Sequence, residues 1–409
     1  MPALYVFSST SLQRGGIDFG KAAPQRAGGR FWGGKHEVKA EGPKRYRAEE
    51  YIRQKDRRAA SPDQPAASGV KHIFLINPAA GRGKSQARLA ALCRETAEER
   101  RLDYEILATE YPGHGAELVK KAVGQSGGRR VRIYACGGDG TLNEAARGAF
   151  GAWNAAVTHY PAGTGNDFIK AFGAQSRAFY RLPALVDGKE IAMDYIQADC
   201  GGAVNVLSVG ADARVAAGVA KYKKLPLPPG QTPPYLLSAA EHIIRGLGEE
   251  YEVEIDGVRR DGAYTLIFLG NGGWYGGGFC PVPQACPRDG LLDVLLVSKV
   301  SRLTAARVVT AYKQGRYWEY PQYIAHILAK EVKIRLKGGG QMCVNLDGEI
   351  AYSNCLEARL LPGLRFVMAD PIQDFANKPE IPGQDNRLEQ AKRKGNGLWR
   401  EIKGRFQQK

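Results

Sequence analysis

Gly137-Gly138-Asp139-Gly140-Thr141 stands between a strand-like apolar run and a helical stretch. Glycines at such a place let the backbone approach a phosphate, and a helix N-terminus adds N–H groups and the positive end of a dipole. Asp139 has the wrong sign to be one more phosphate ligand. It must hydrogen-bond a donor, reach a metal or orient the loop. A bare strand-to-helix turn explains the glycines equally well, but Leu142-Asn143-Glu144 adds polar groups on the first helical turn. A second turn of this kind is Pro161-Ala162-Gly163-Thr164-Gly165-Asn166-Asp167, whose Thr164 hydroxyl can donate to a phosphate. The third, Asn77-Pro78-Ala79-Ala80-Gly81-Arg82-Gly83-Lys84-Ser85, ends like a Walker A loop. Pro78 occupies the place of that motif's first glycine, so the segment reads as a looser glycine turn near a nucleotide.

Further along, Asp347-Gly348-Glu349 offers two carboxylates at i and i+2. On a strand they face one side, whereas a turn at Gly348 splays them. Either can accept a proton from an attacking hydroxyl, and a plain polar turn is the bland alternative. Asp289-Gly290 taken alone is likewise an ordinary turn.

These turns need strands and helices to position them. The run at 72–76 is short, continuous and apolar, as in buried parallel strands. Strand-like runs at 104–108, 131–135 and 156–160 follow, with helical stretches up to 101, over 115–123 and from 142. Repeated strand, glycine turn and helix predict a parallel sheet flanked by helices, with ligands at the carboxyl ends of its strands. After about residue 194 the alternation stops. Runs at 251–255, 263–269, 292–297, 332–336, 341–346 and 356–360 predict a second, mainly antiparallel β domain with few helices, one of them over 235–247. The predicted organisation is a basic, disordered extension over 1–70, an α/β nucleotide-binding domain over 71–194, a β-rich substrate domain over 195–362, and a return segment with a basic tail over 363–409.

The ordered set of turns resembles the diacylglycerol kinase and sphingosine kinase superfamily of lipid kinases. The resemblance runs over about residues 71–370. It rests on the turn at 77–81, on Thr109 with Pro112-Gly113-His114, on the GGDGTxNE signature at 137–144 and on the P-x-GTxNDF segment from Pro161. It continues through NVLSVGADA at 205–213, NGGWYGGG at 271–278, PQACPRDGLLDV at 283–294 and Leu346-Asp347-Gly348-Glu349. The chain departs from the family with alanines at 79 and 80, with Ile169-Lys170 in place of Ala-Arg, and with a long Pro-rich stretch at 225–234. The resemblance implies an α/β domain like that of NAD kinase or phosphofructokinase, followed by an antiparallel β-sandwich. It implies ATP contacts from Asn77, Pro78, Ala79, Ala80, Gly81, Thr109, Gly137, Gly138, Asp139, Gly140, Thr141, Leu142, Asn143 and Thr164. A structural magnesium would sit at Asp289 with the carbonyls of Cys286 and Leu291, and Glu349 or Asp347 would be the general base. The implied activity is ATP-dependent phosphorylation of a membrane-lipid hydroxyl, of diacylglycerol or a related lipid, in phospholipid metabolism. NAD kinase shares the GGDGT turn but leaves 271–278 and 283–294 unexplained. A non-catalytic nucleotide- or lipid-binding regulator is the other alternative, which retention of Asp139, Asp289, Asp347 and Glu349 argues against.

Bulk properties agree with a peripheral enzyme. The 409 residues are 44% hydrophobic and 24% charged, and no apolar run approaches the roughly 18–20 residues that span a bilayer. No signal peptide is evident, and seven scattered cysteines without a C-x-x-C pair predict free thiols in a reducing cytosol. Net charge is +16, of which residues 1–70 carry +6 and residues 376–409 carry +5. Such flanks read either as solvated tails or as electrostatic tethers to anionic lipid. Nucleic acid is not an expected partner, since the body lacks a basic helix or aromatic RNA-binding signature, and a homodimer stays open.

Overall fold

The computed structural model describes residues 69–83, 86–223 and 248–375. The extension expected over 1–70, the Pro-rich stretch at 225–234, the helix expected over 235–247 and the basic tail at 376–409 lie outside these residues, apart from Gly69 and Val70. The first strand, β1 (Val70–Ile76), is apolar throughout its second half because both its faces are covered. It is followed by α1 (Gln86–Glu99), β2 (Asp103–Ala108), α2 (His114–Gly124), β3 (Arg130–Gly137), α3 (Asp139–Ala149) and β4 (Ala155–Pro161). β1 pairs in parallel with β2 and β3, and β3 pairs in parallel with β4. The sheet order β2-β1-β3-β4 brings the ends of all four strands to one edge, as the alternation predicts. α3 turns Leu142, Ala145, Ala146 and Ala149 inward at helical spacing, onto the core formed by Phe74, Ile133 and Val157. A short helix, α4 (Leu182–Val186), closes this lobe.

The second lobe begins with β5 (Lys189–Ala198), β6 (Gly201–Ala203), β7 (Val206–Gly210) and α5 (Ala211–Lys223). It continues through β8 (Glu249–Ile255), β9 (Val258–Arg259), β10 (Gly262–Gly270), β11 (Leu292–Ser298), α6 (Arg302–Lys313), β12 (Ile324–Ala329), β13 (Glu331–Leu336), β14 (Met342–Leu346), β15 (Glu349–Ser353) and β16 (Leu356–Met368). Pairing among these strands is antiparallel, including β10 with β7 and β11, β14 with β7 and β15, and β13 with β8 and β16, while β16 meets β4 of the first lobe in parallel. The strands alternate between two cores. Ile267 and Leu269 of β10 face one with Val294 and Val344, while Leu266 and Phe268 face another with Leu295 and Val308. Burial on both faces is why these strands read as continuous apolar runs.

Two features depart from the sequence reading. Helices α5 and α6 interrupt the β lobe, where few helices are expected. In α6 only Val308, Ala311 and Tyr312 are buried, and apolar residues on its outer face blur the helical period. The second feature is β16, which runs to Met368 rather than ending near residue 360. It pairs with β5 from Ala358↔Ala198 to Met368↔Lys189 and touches β4 at Phe366↔Val157. Its early residues Leu356 and Ala358 belong to the β-lobe core, and Leu364, Phe366 and Met368 to the α/β core. None of the described helices is long and apolar enough to cross a membrane.

His72 lies buried in β1, its Nδ1 2.8 Å from the Tyr134 hydroxyl and its ring stacked on that tyrosine. Burial pushes its imidazole down to about 4 from the ordinary 6.5, and Arg132 adds to the effect. The unfolded chain therefore binds more protons than the folded one between these values. This stabilisation is complete above pH 6.5 and is lost as pH falls toward 4. The difference between wild type and His72→Gln in unfolding free energy should change by on the order of 3 kcal/mol between pH 7.5 and pH 4. Urea titrations of both proteins across that range measure it, and parallel curves would refute the assignment.

Candidate active site

The carboxyl edge of the parallel sheet gathers the glycine turns. Asn77 follows β1, Thr109 follows β2, Gly138 follows β3 and Ala162 follows β4. The side chain of Asn77 donates to the Thr141 hydroxyl at 3.1 Å, linking the first turn to the third strand's turn. Gly138 and Gly163 lie backbone to backbone: a Cβ on Gly163 would stand 2.5 Å from the Gly138 Cα. That contact explains the glycine at 163. Gly138 is also the N-cap of α3 and provides no side-chain cap, so the first amides of α3 face the turn without an intrahelical partner. Beneath it His159 is fully buried, and its Nε2 meets the Gly137 carbonyl at 3.0 Å. Burial holds that imidazole below its ordinary value, so the neutral ring donates from Nε2.

Of the three roles open to Asp139, the geometry shows the donor contact. Its Oδ1 accepts the Phe168 N–H at 3.0 Å, which binds the second turn to the first. Asp167 accepts the Gly277 N–H at 2.7 Å, from the glycine loop at 271–278 of the β lobe. It also pairs with Lys170, whose ammonium lies 5.8 Å from the centre of the Trp274 ring. The lysine at 170 thus keeps a cation at the seam between the lobes. Glu144 accepts the Gly113 and Gly115 amides at 2.8 and 2.7 Å, so it braces the start of α2.

Asp347 and Gly348 form a two-residue turn between β14 and β15, both with positive φ (49° and 93°). Asp-Gly suits that hairpin geometry. The turn splays the two carboxylates. Asp347 points into the β6–β7 connection, where it accepts the backbone amides of Val204, Asn205 and Val206 at 2.6 to 3.2 Å. Burial pushes its carboxyl up to about 7, against the pull of these three donors. Glu349 points the other way, toward α3. Its Oε2 accepts Arg147 Nη1 at 2.9 Å, while its Oε1 is buried with no hydrogen-bond partner. Burial raises its carboxyl above the ordinary range, and Arg147 opposes the shift.

Asp289 sits on an exposed turn whose Cys286 carbonyl accepts the Arg288 and Asp289 amides at 2.7 and 3.3 Å. Its Oδ1 accepts the Leu291 N–H at 3.1 Å. Asp194 of β5 clamps this turn, accepting the Gly290 N–H and donating its own N–H to the Pro287 carbonyl. Among the described residues no three His, Cys, Asp or Glu side chains cluster as a metal site. A cation bound here would meet one carboxylate plus carbonyl oxygens, of which that of Cys286 already accepts two amides, a donor set that would suit a hard cation retaining several waters.

The structure brings most of the expected residues to one edge, though not all of them are accessible there. Asn77, Pro78, Ala79, Ala80, Gly81, Thr109, Gly138, Asp139, Gly140 and Thr164 have accessible surface there. Leu142 and Asn143 do not: they are 1% and 0% exposed, because their helical phase turns them into the core. Gly137 and Thr141 are buried as well. Residues that sequence reasoning missed are Arg147, Asp194 and Asp212. The carboxylate of Asp212 is enclosed in the first turn of α5, where burial pushes it up to about 6 near Ser208 and Tyr275. Only its place in the 205–213 motif could have drawn attention to it. Arg147 had no sequence signal, since its partner is 202 residues away.

Comparison with known proteins bears on the fold of both lobes. The diacylglycerol kinase catalytic domain model matches residues 71–198, and the YegS C-terminal NAD kinase beta sandwich-like domain model matches residues 205–369. A protein of Staphylococcus aureus strain JH9 named "Putative lipid kinase" is 24% identical over 294 residues, covering 71% of this chain and 92% of that protein. A protein of the same name from strain Newman is 24% identical over 301 residues, with the same coverage. Among solved structures, "A putative diacylglycerol kinase from Bacillus anthracis str. Sterne" and a diacylglycerol kinase structure from the same strain superpose with TM-scores of 0.55 and 0.51 at 22% and 18% identity. Each alignment covers 74% of this chain, and 98% and 97% of the respective structures. With an α/β lobe and an antiparallel β lobe that these models match in order, the chain belongs to the diacylglycerol kinase-type family of lipid kinases.

Proposed function

We propose that this protein transfers the γ-phosphoryl group of ATP to a hydroxyl of a membrane lipid, diacylglycerol or a close relative, with magnesium. The observation that carries the reading is the Glu349 carboxylate. One oxygen is held by Arg147, and the other is buried and unpartnered. A lipid alcohol is a poor nucleophile, so a positioned carboxylate must take its proton as transfer proceeds. In this reading the hydroxyl proton passes to Glu349 Oε1 as the lipid oxygen–phosphorus bond forms. The bond from phosphorus to the bridging oxygen breaks and ADP leaves. Asp347 is a positioning residue, its oxygens already engaged by three amides.

The turns at Asn77–Gly81 and Gly138–Gly140, with Thr109 and Thr164, would hold the nucleotide, the α3 amides facing its phosphates. Asp289, with the carbonyls of Cys286 and Leu291, would hold the magnesium, which neutralises charge when bound. Most of the remaining catalysis is positioning.

An assay with labelled ATP over diacylglycerol, sphingosine, ceramide, phosphatidylglycerol and NAD tests the acceptor class. Label is expected in a lipid; label in NAD alone would overturn the reading. Glu349→Gln should lower turnover by about 10² to 10⁴ with little change in ATP affinity. Loss of activity in Asp347→Asn at wild-type stability, with Glu349→Gln fully active, would exchange their roles.

Asp139→Ala should abolish turnover while circular dichroism stays native, since it frees the Phe168 amide and loosens the second turn. Asp289→Ala should raise the magnesium concentration needed for half-maximal activity. A magnesium titration superimposable on wild type would remove the metal from that turn.

A further inference from the structure

Seven large hydrophobic side chains are markedly exposed among the described residues. Tyr111, Trp153, Tyr180, Val258 and Tyr352 stand singly on separate segments, as scattered surface residues do. Leu303 and Val309 share one helix, α6, and Leu303 is 78% exposed. Around them the same helix exposes Arg302, Ala306, Arg307 and Lys313. It contains no acidic residue, and exposed Lys299 precedes it. Helical spacing puts residues 302, 306, 309 and 313 in one row and 303, 306, 307 and 310 in the next, so cations and apolar side chains interleave on a single outward face.

The inward face of α6 is tied to the site. Val308 and Tyr312 pack in the core with Phe268 and Tyr275, and the Tyr312 and Tyr275 hydroxyls lie 3.0 Å apart. The Lys313 carbonyl accepts the Cys280 N–H, and the Lys313 ammonium lies 5.3 Å from the centre of the Phe279 ring. The segment from Tyr275 to Cys280 includes Gly277, which bonds Asp167 across the seam. A surface that α6 rests on would therefore be coupled to the glycine loop at the active site.

We propose that the outer face of α6 docks on a bilayer containing anionic phospholipid, Leu303 and Val309 entering the acyl boundary beneath headgroups paired with Arg307. Apolar side chains interleaved with cations, on a helix that holds no carboxylate to repel the headgroups, are what such a surface selects. The proposal rests on the lipid-kinase reading for its purpose and on α6 alone for its geometry. It is distinct from any attraction by the chain's basic flanks, because apolar entry survives salt that screens long-range charge.

The experiment is co-sedimentation of the full-length protein with phosphatidylcholine vesicles, with and without phosphatidylglycerol, at low and high salt. Wild type should bind the anionic vesicles and keep part of that binding at high salt. Leu303→Asp/Val309→Asp should weaken it on the order of 10- to 100-fold and remove the salt-resistant part. Arg307→Glu should weaken binding only at low salt. The double variant should keep wild-type turnover on detergent-dispersed acceptor and lose it on vesicle-borne acceptor.

Vesicle binding by the double variant equal to wild type would overturn the proposal. So would a wild-type dimer, seen by ultracentrifugation, that the double variant abolishes while vesicle binding stays unchanged. Salt-resistant vesicle binding through α6, with no lipid phosphorylated, would sink the lipid-kinase reading and leave the docking face standing.

Discussion

The antiparallel ladder between β5 and β16 is the constraint on which the rest of this structure depends. It runs from Ala358↔Ala198 to Met368↔Lys189, and its two ends lie in different cores. A ladder cannot slip by one residue without turning every side chain to the wrong face. The two lobes are therefore fixed against each other by register as well as by contact. That fixed placement brings α3 of one lobe beside β15 of the other, so that Arg147 meets Glu349. It also brings Asp167 to the Gly277 amide and Lys170 to Trp274.

The division of labour among the carboxylates follows from their surroundings. Asp139, Glu144, Asp167, Asp194 and Asp347 each accept backbone amides. Charge-assisted bonds of this kind hold loops that have no regular secondary structure of their own. Glu349 differs in having a cation on one oxygen and nothing on the other. Its raised proton affinity comes from burial, and Arg147 keeps that shift within bounds. The same contrast explains why Asp347 and Glu349, two residues apart, do unlike things: the Asp-Gly turn sends one into a loop and the other across the seam.

The glycine turns show how close approach replaces side-chain chemistry. Gly138 and Gly163 touch through their backbones, and the surrounding polar groups mostly bond one another. Among the described residues, the side chains accessible at the sheet edge include those of Asn77, Ala79, Ala80, Thr109, Asp139 and Thr164. Backbone N–H dipoles gathered at turns of this kind suit an anion. The alanines at 79 and 80 are compatible with this, because the turn is held by Asn77 Oδ1 accepting the Ala79 N–H.

Local signals in the sequence determined the α/β alternation, the antiparallel second lobe and the glycine turns. Strand burial, turn chemistry and helix starts are written within windows of a few residues, and the motifs sit inside those windows. The Asp-Gly pair at 347–348 likewise carried its own hairpin. Only the tertiary structure decided which carboxylate faces the seam, that Arg147 is its partner, and that Leu142 and Asn143 turn inward while Gly138 to Gly140 stay accessible. It also decided that β16 continues into the first lobe, because Phe366 and Met368 look like any apolar pair until β4 and β5 are beside them. Pairings such as Arg147 with Glu349 join residues far apart in the chain, and no local pattern encodes them; they exist because the β5–β16 register leaves the two lobes one way to meet.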